Sequence, residues 1–161
     1  MRIESLVRLS LDGGVLDAEA CTPSSERFMH CAIYRARPDV SAVIHAHAPQ
    51  SNLLGLAGLP FLPISVEAAC VKDLPRVPFL MPGSQELARA VCSALGRGQA
   101  VLLVNHGLVV ASDNLRSAMN LVHVIERTAQ DIVTCYAVGR QPQALPEEVV
   151  SQLGDLWPAI T

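Results

Sequence analysis

AVLLVNHGLVVAS (residues 100–112) is the stretch on which the fold turns. Two apolar runs, Ala100–Val104 and Leu108–Ala111, flank Asn105-His106-Gly107. Each run is too short for a helix, and a glycine-bearing turn between them reads as a hairpin. A hairpin demands antiparallel pairing, so the sheet is mixed or antiparallel rather than wholly parallel. Runs with no polar alternation are buried on both faces, which calls for helices above and below the sheet.

Outward from the hairpin, helices and strands alternate. A long helix is expected from Asp113 to about Val138, its apolar stripe made by Leu115, Ala118, Met119, Val122, Ile125, Ala129 and Ile132. SQELARAVCSALGRG (84–98) reads as an amphipathic helix capped by Ser84 and stopped at Gly96. VSAVIHAH (40–47) is a strand, and 49–58 a short helix ending at Gly58. TPSSERFMHCAIYRARPD (22–39) is a helix entered at Thr22-Pro23, carrying Phe28, Ala32 and Ile33 inward and halted by Pro38. ESLVRLS (4–10) is a strand leading into the turn Asp12-Gly13-Gly14. The segment 59–81 is expected to hold short strands and turns, and the last twenty residues no regular element. The whole is an α/β domain, read as one unit over 1–161.

Composition narrows the function. The chain has 161 residues, 50% of them apolar and 17% charged. So little charge suggests that some apolar surface is covered by other subunits. A net charge of −3, scattered arginines and few aromatic residues argue against nucleic acid as a partner. Five cysteines with no C-x-x-C pair read as reduced, mostly core thiols of a cytoplasmic protein. The first residues do not form a signal peptide, and no apolar run approaches the roughly 20 residues of a membrane span.

The chemistry gathers at histidines. In a strand, residues i and i+2 share a face about 6.5–7 Å apart, so His45 and His47 present both imidazoles together. Two such rings can converge on one divalent cation, although two histidines at a strand end are otherwise simply solvated or hydrogen-bonded. His106, held beside Gly107, is a third candidate ligand. Glu26, in the first turn of the helix that leads into the His45 strand, is a fourth and a candidate base. His30 lies one helical turn after Glu26 and reads as a surface histidine, His123 as a structural residue near the core edge, and Arg35 and Arg37 as helix-end cations.

PSSE (23–26), RPDVSAVIHAHAP (37–49) and LLVNHGLVVAS (102–112), in that order, resemble the class II aldolase/adducin family, with the likeness running from about Leu6 to Ala137. Its enzymes act on sugar phosphates as aldolases, epimerases and dehydratases. The resemblance implies a three-layer α/β/α sandwich around a largely antiparallel sheet, and a homotetramer with sites at its interfaces. It implies that His45, His47 and His106 bind zinc (or another divalent metal), with Glu26 as fourth ligand and acid/base group. It implies also that Ser24 and Ser25 help to hold a substrate phosphate.

The chain departs from the family's pattern in two places. The family's N-terminal helical region, a Gly-Asn-x-Ser stretch and a Thr-Pro-Ser-Gly stretch are expected upstream of Met1, or replaced by a different binding site. Where a family aldolase has a tyrosine proton donor, this chain has Val66, and beyond Tyr136 the tail has no tyrosine. Glu67 and Lys72 are polar neighbours of that position, read as solvated loop charges. Two readings result: a zinc-dependent lyase for a small sugar-phosphate or sugar-acid ketone, or a non-catalytic, adducin-like metal-binding or assembly module.

Overall fold

A computed structural model describes residues 5–17, 21–71 and 74–156. In chain order the elements are α1 (Arg27–Ala36), β1 (Ala42–Ala46), α2 (Pro49–Leu56), α3 (Val66–Ala69), β2 (Arg76–Val77), α4 (Gln85–Leu95), β3 (Ala100–Leu103), β4 (Gly107–Ser112), α5 (Leu115–Ala137) and α6 (Glu147–Leu156). The strands form one sheet in the order β1-β4-β3-β2. β4 pairs antiparallel with both β1 and β3, and β2 adds in parallel to β3. The expected hairpin is therefore β3–β4, in a register that sets Leu103 against Gly107.

Every residue of β3 and β4 is buried, because both faces are covered. Val101, Leu103, Val109 and Ala111 face α1 and α4, packing on Met29, Ile33, Leu87 and Val91. Ala100, Leu108 and Val110 face α5 at Ala118, Val122 and Ile125, while Leu102 meets Leu54 of α2 and Ile132 of α5. Pleat alternation thus divides the apolar runs between two helix layers, and the sandwich is α/β/α. Helix starts follow side-chain chemistry: Ser84 accepts from the Leu87 N–H at 3.0 Å, and Asn114 from the Ser117 N–H at 2.8 Å.

Several expectations need correction. Residues 4–10 contribute no sheet strand among the described residues; Leu9 and Val15 make one isolated bridge across the turn at 10–14. α1 begins at Arg27, not near Thr22, because Ser24–Arg27 first closes a separate turn, with the Arg27 N–H bonded to the Ser24 carbonyl. Among the described residues of 59–81 lie a short helix, α3, and only the two-residue strand β2. The tail forms α6, which packs on α3. Leu115 and Met119 lie off the buried stripe of α5 and are exposed, while Leu121 and Thr128 belong to it. His123 is exposed rather than at the core edge. Of the cysteines only Cys31 is buried. Lys72 lies outside the described residues. No helix among the described residues is long and apolar enough to cross a membrane.

Arg37 does more than end a helix. Its Nη1 donates to the Gly96 and Gly98 carbonyls, both at 2.9 Å, tying α1 to the turn between α4 and β3. Its Nη2 also meets Asp39 at 2.6 Å, and these hydrogen bonds push the Asp39 carboxyl down to about 2. Arg37→Ala removes the side chain that ties these two carbonyls of an exposed turn to the end of α1. We expect urea melts to show a loss of about 0.5–1.5 kcal/mol of stability.

Candidate metal centre

β1 alternates between the layers, with Ala42 and Ile44 toward α5 and Val43 toward α1. His45, two residues after Val43, is on the α1 side, where Glu26 sits at the N-cap of α1. The β1–β4 ladder ends at Ala46↔Leu108, so His47 lies just beyond it. His106 enters from the β3–β4 turn, one residue after Asn105, whose φ of 62° is left-handed. Asparagine tolerates that region, and the turn closes with the His106 N–H bonded to the Leu103 carbonyl at 3.1 Å.

These elements bring His45, His47 and His106 together. One ring nitrogen from each lies within 4.8 Å of the other two, and the ring centroids are 4.9–5.3 Å apart. Glu26 Oε1 is 3.9 Å from His106 Nε2, and both side chains are buried. His45 Nδ1 lies 3.1 Å from the Leu108 carbonyl, which can only accept, so Nδ1 carries the proton and Nε2 keeps its lone pair. Burial pushes the His45 imidazole down to about 4; the bond to Leu108 opposes this, and charge on its histidine neighbours reinforces it. Burial likewise lowers His106, against the raising influence of Glu26. Both His45 and His106 are thus biased toward the neutral form in which imidazole binds metals.

Unmet polar atoms test the fit of a cation. His45 Nε2, His106 Nδ1 and Glu26 Oε2 are buried without a hydrogen-bond partner among the described residues. A buried polar atom left unpaired costs about 1–3 kcal/mol, and a cation among the three histidines would take up the lone pair of His45 Nε2. Three imidazoles with a carboxylate beside one of them suit zinc or a similar divalent ion.

Gly107 permits this close approach. A Cβ there would meet the Ala46 carbonyl at 2.7 Å, His45 Cε1 at 3.0 Å and His47 Cδ2 at 3.1 Å. The nearest of these atoms is backbone and cannot swing aside. Gly107→Ala is expected to lower stability by about 1–3 kcal/mol and to weaken metal uptake as the rings are pushed apart, seen by thermal melts with and without added zinc.

The other candidates fall around this cluster. Ser24 and Ser25 are exposed in the turn before α1, and the Ser24 hydroxyl accepts from the Glu26 N–H at 3.2 Å. His30 is half-buried one turn further along α1, outside the three-histidine group, and burial lowers its imidazole. Val66 is exposed at the start of α3. The sequence reading passes over Asn52, which donates to the His106 carbonyl at 3.3 Å, and Glu126, which accepts from the Gln50 and Ser51 N–H groups. A local signal for Glu126 does exist: it is an acid adjoining the apolar stripe of α5 between Val122 and Ala129.

The geometry can be set beside known proteins. The family model described as Class II Aldolase and Adducin N-terminal domain matches residues 1–133. The chain is 34% identical over 151 residues to 5-deoxy-D-ribulose 1-phosphate aldolase of Bacillus thuringiensis serovar kurstaki, covering 93% of this chain and 70% of that protein. It is 33% identical over 147 residues to 3-oxo-tetronate 4-phosphate decarboxylase of Escherichia coli, covering 86% of this chain and 66% of that protein. The chain thus spans about two thirds of the length of these relatives. Among solved structures, an L-fuculose 1-phosphate aldolase superposes with a TM-score of 0.89 at 30% identity, over 98% of this chain and 74% of that one.

Proposed function

The chain belongs to the class II aldolase and adducin family, and on that premise we propose that it is a metal-dependent lyase cleaving the bond between the α and β carbons of a small β-hydroxy ketone sugar phosphate. The observation that carries the reading is the convergence of His45, His47 and His106 within 4.8 Å, with Glu26 beside His106. A scaffold has no chemical use for three convergent imidazoles beside a buried carboxylate.

The three histidines would hold zinc, or another divalent ion, without cancelling its charge. The ion, when bound, supplies a Lewis acid that polarises the ketone. Glu26 takes or returns the proton at the carbon next to that ketone, from a buried position that keeps competing water away. Ser24 and Ser25, exposed at the N-terminus of α1, bind the substrate phosphate, which the helix dipole favours. The exposed apolar residues Leu53, Leu56, Phe79 and Met81 support a homo-oligomer; the tetramer is what the family resemblance implies, and the cytoplasm is the reading of the cysteine pattern.

A second reaction on the same site is decarboxylation of a sugar-acid phosphate, favoured by the likeness to the 3-oxo-tetronate 4-phosphate decarboxylase. Product analysis separates the two. With zinc-loaded protein and a panel of ketose 1-phosphates and 3-oxo-acid phosphates, we expect an aldehyde from the ketose phosphates. Carbon dioxide from the acids alone would select the second reaction, and no product from either would leave the non-catalytic module as the better reading.

A further inference from the structure

Of the three candidate ligands, His47 is the least constrained by its own surroundings. His45 lies within the β1–β4 ladder and donates to the Leu108 carbonyl. His106 is fixed by the turn at Leu103. His47 is exposed, one residue past the end of β1, and its ring makes no hydrogen bond to another described residue. What sets its backbone is the helix beginning two residues later at Pro49.

That helix cannot cap itself. Ala48 stands at its N-cap with no side-chain acceptor, and no acid lies in its first turn. The first N–H groups of the helix instead meet Glu126, reaching over from α5. The carboxylate accepts from the Gln50 N–H at 2.7 Å, the Ser51 N–H at 2.9 Å and the Ser51 hydroxyl at 3.0 Å. A negative charge at a helix N-terminus is held both by these bonds and by the helix dipole. From the same helix, Asn52 Nδ2 donates to the His106 carbonyl at 3.3 Å.

We infer that Glu126 is a positioning residue for the metal centre: its carboxylate pins the start of α2, and α2 sets the spacing between His47 on one side and His106 on the other. The inference rests on the metal-site reading above. It goes beyond the candidate ligands because Glu126 is neither in the histidine cluster nor in hydrogen-bond contact with it. An isosteric Gln keeps the shape but turns an NH2 group toward backbone N–H donors and removes the charge. Partners that orient metal ligands typically account for about 10–100-fold in metal affinity.

The test uses Co2+, whose visible spectrum reports ligand number and geometry. Competition against a chromophoric chelator gives its dissociation constant for wild type, Glu126→Gln, Glu126→Asp and Arg37→Ala. We expect Glu126→Gln to raise the constant about tenfold or more and to alter the visible band, with Glu126→Asp intermediate. Arg37→Ala should melt earlier yet bind Co2+ as wild type does, which separates positioning from general destabilisation. If Glu126→Gln does not fold, Ser51→Ala, which removes one bond of the three, should still raise the constant, by less. Unchanged affinity and spectrum in the folded variants would overturn the role of Glu126 alone. Wild type that binds no Co2+ would overturn the metal-site reading itself.

Discussion

Zinc is expected to stabilise this chain, and replacing His45 by alanine should abolish that effect. His45 Nε2 is buried without a partner among the described residues. It carries a desolvation cost that a bound cation would relieve. Wild type should therefore melt at higher temperature as zinc is added, gaining about 2.7 kcal/mol when the free ion reaches a hundredfold excess over its dissociation constant. His45→Ala removes a ligand whose lone pair is aimed by the bond from Nδ1 to Leu108. The affinity loss should exceed the ~10–100-fold typical of groups that merely orient ligands. The zinc-dependent rise in melting temperature should then disappear at concentrations that saturate wild type. A variant that keeps that rise would exclude His45 as a ligand.

The second large effect is on turnover. Glu26→Gln preserves size and shape but removes the basic carboxylate. General acid–base groups contribute about 10²–10⁴-fold to rate, so kcat should fall by that order. The three histidines remain, so zinc content should stay near the wild-type level. The pairing of these outcomes carries the argument, because loss of metal would explain loss of turnover without a base. Full activity in zinc-loaded Glu26→Gln would remove Glu26 from the acid/base role.

Much of this was readable from residues because short-range rules govern it. The two-residue period of a strand puts His45 and His47 on one face whatever the rest of the chain does. The Asn-His-Gly turn needs a residue tolerant of positive φ and a glycine, and Asn105 at 62° and the crowding at Gly107 supply both reasons. Where the reading erred, a local signal competed with a stronger neighbour. Thr22-Pro23 looks like a helix start, but the Ser24–Arg27 turn comes between, leaving Glu26 at the cap rather than inside the first turn. In the tail, Pro146, Glu147 and Glu148 are a helix-start pattern, but the helix docks on α3, a partner the local sequence does not announce. Glu126 illustrates what a sequence withholds. Its place beside the apolar stripe of α5 marks the acid, but its bonds to Gln50 and Ser51 span 76 and 75 residues, so the partner is not readable locally.

The most direct measurement of the central claim is chelation and readdition during turnover. Aldehyde release from a ketose 1-phosphate is followed with the protein as purified, after removal of metal by a chelator, and after stoichiometric zinc is returned. The account predicts turnover that is lost with the metal and recovers at about one zinc per chain. Turnover that survives complete removal of divalent metal would contradict it.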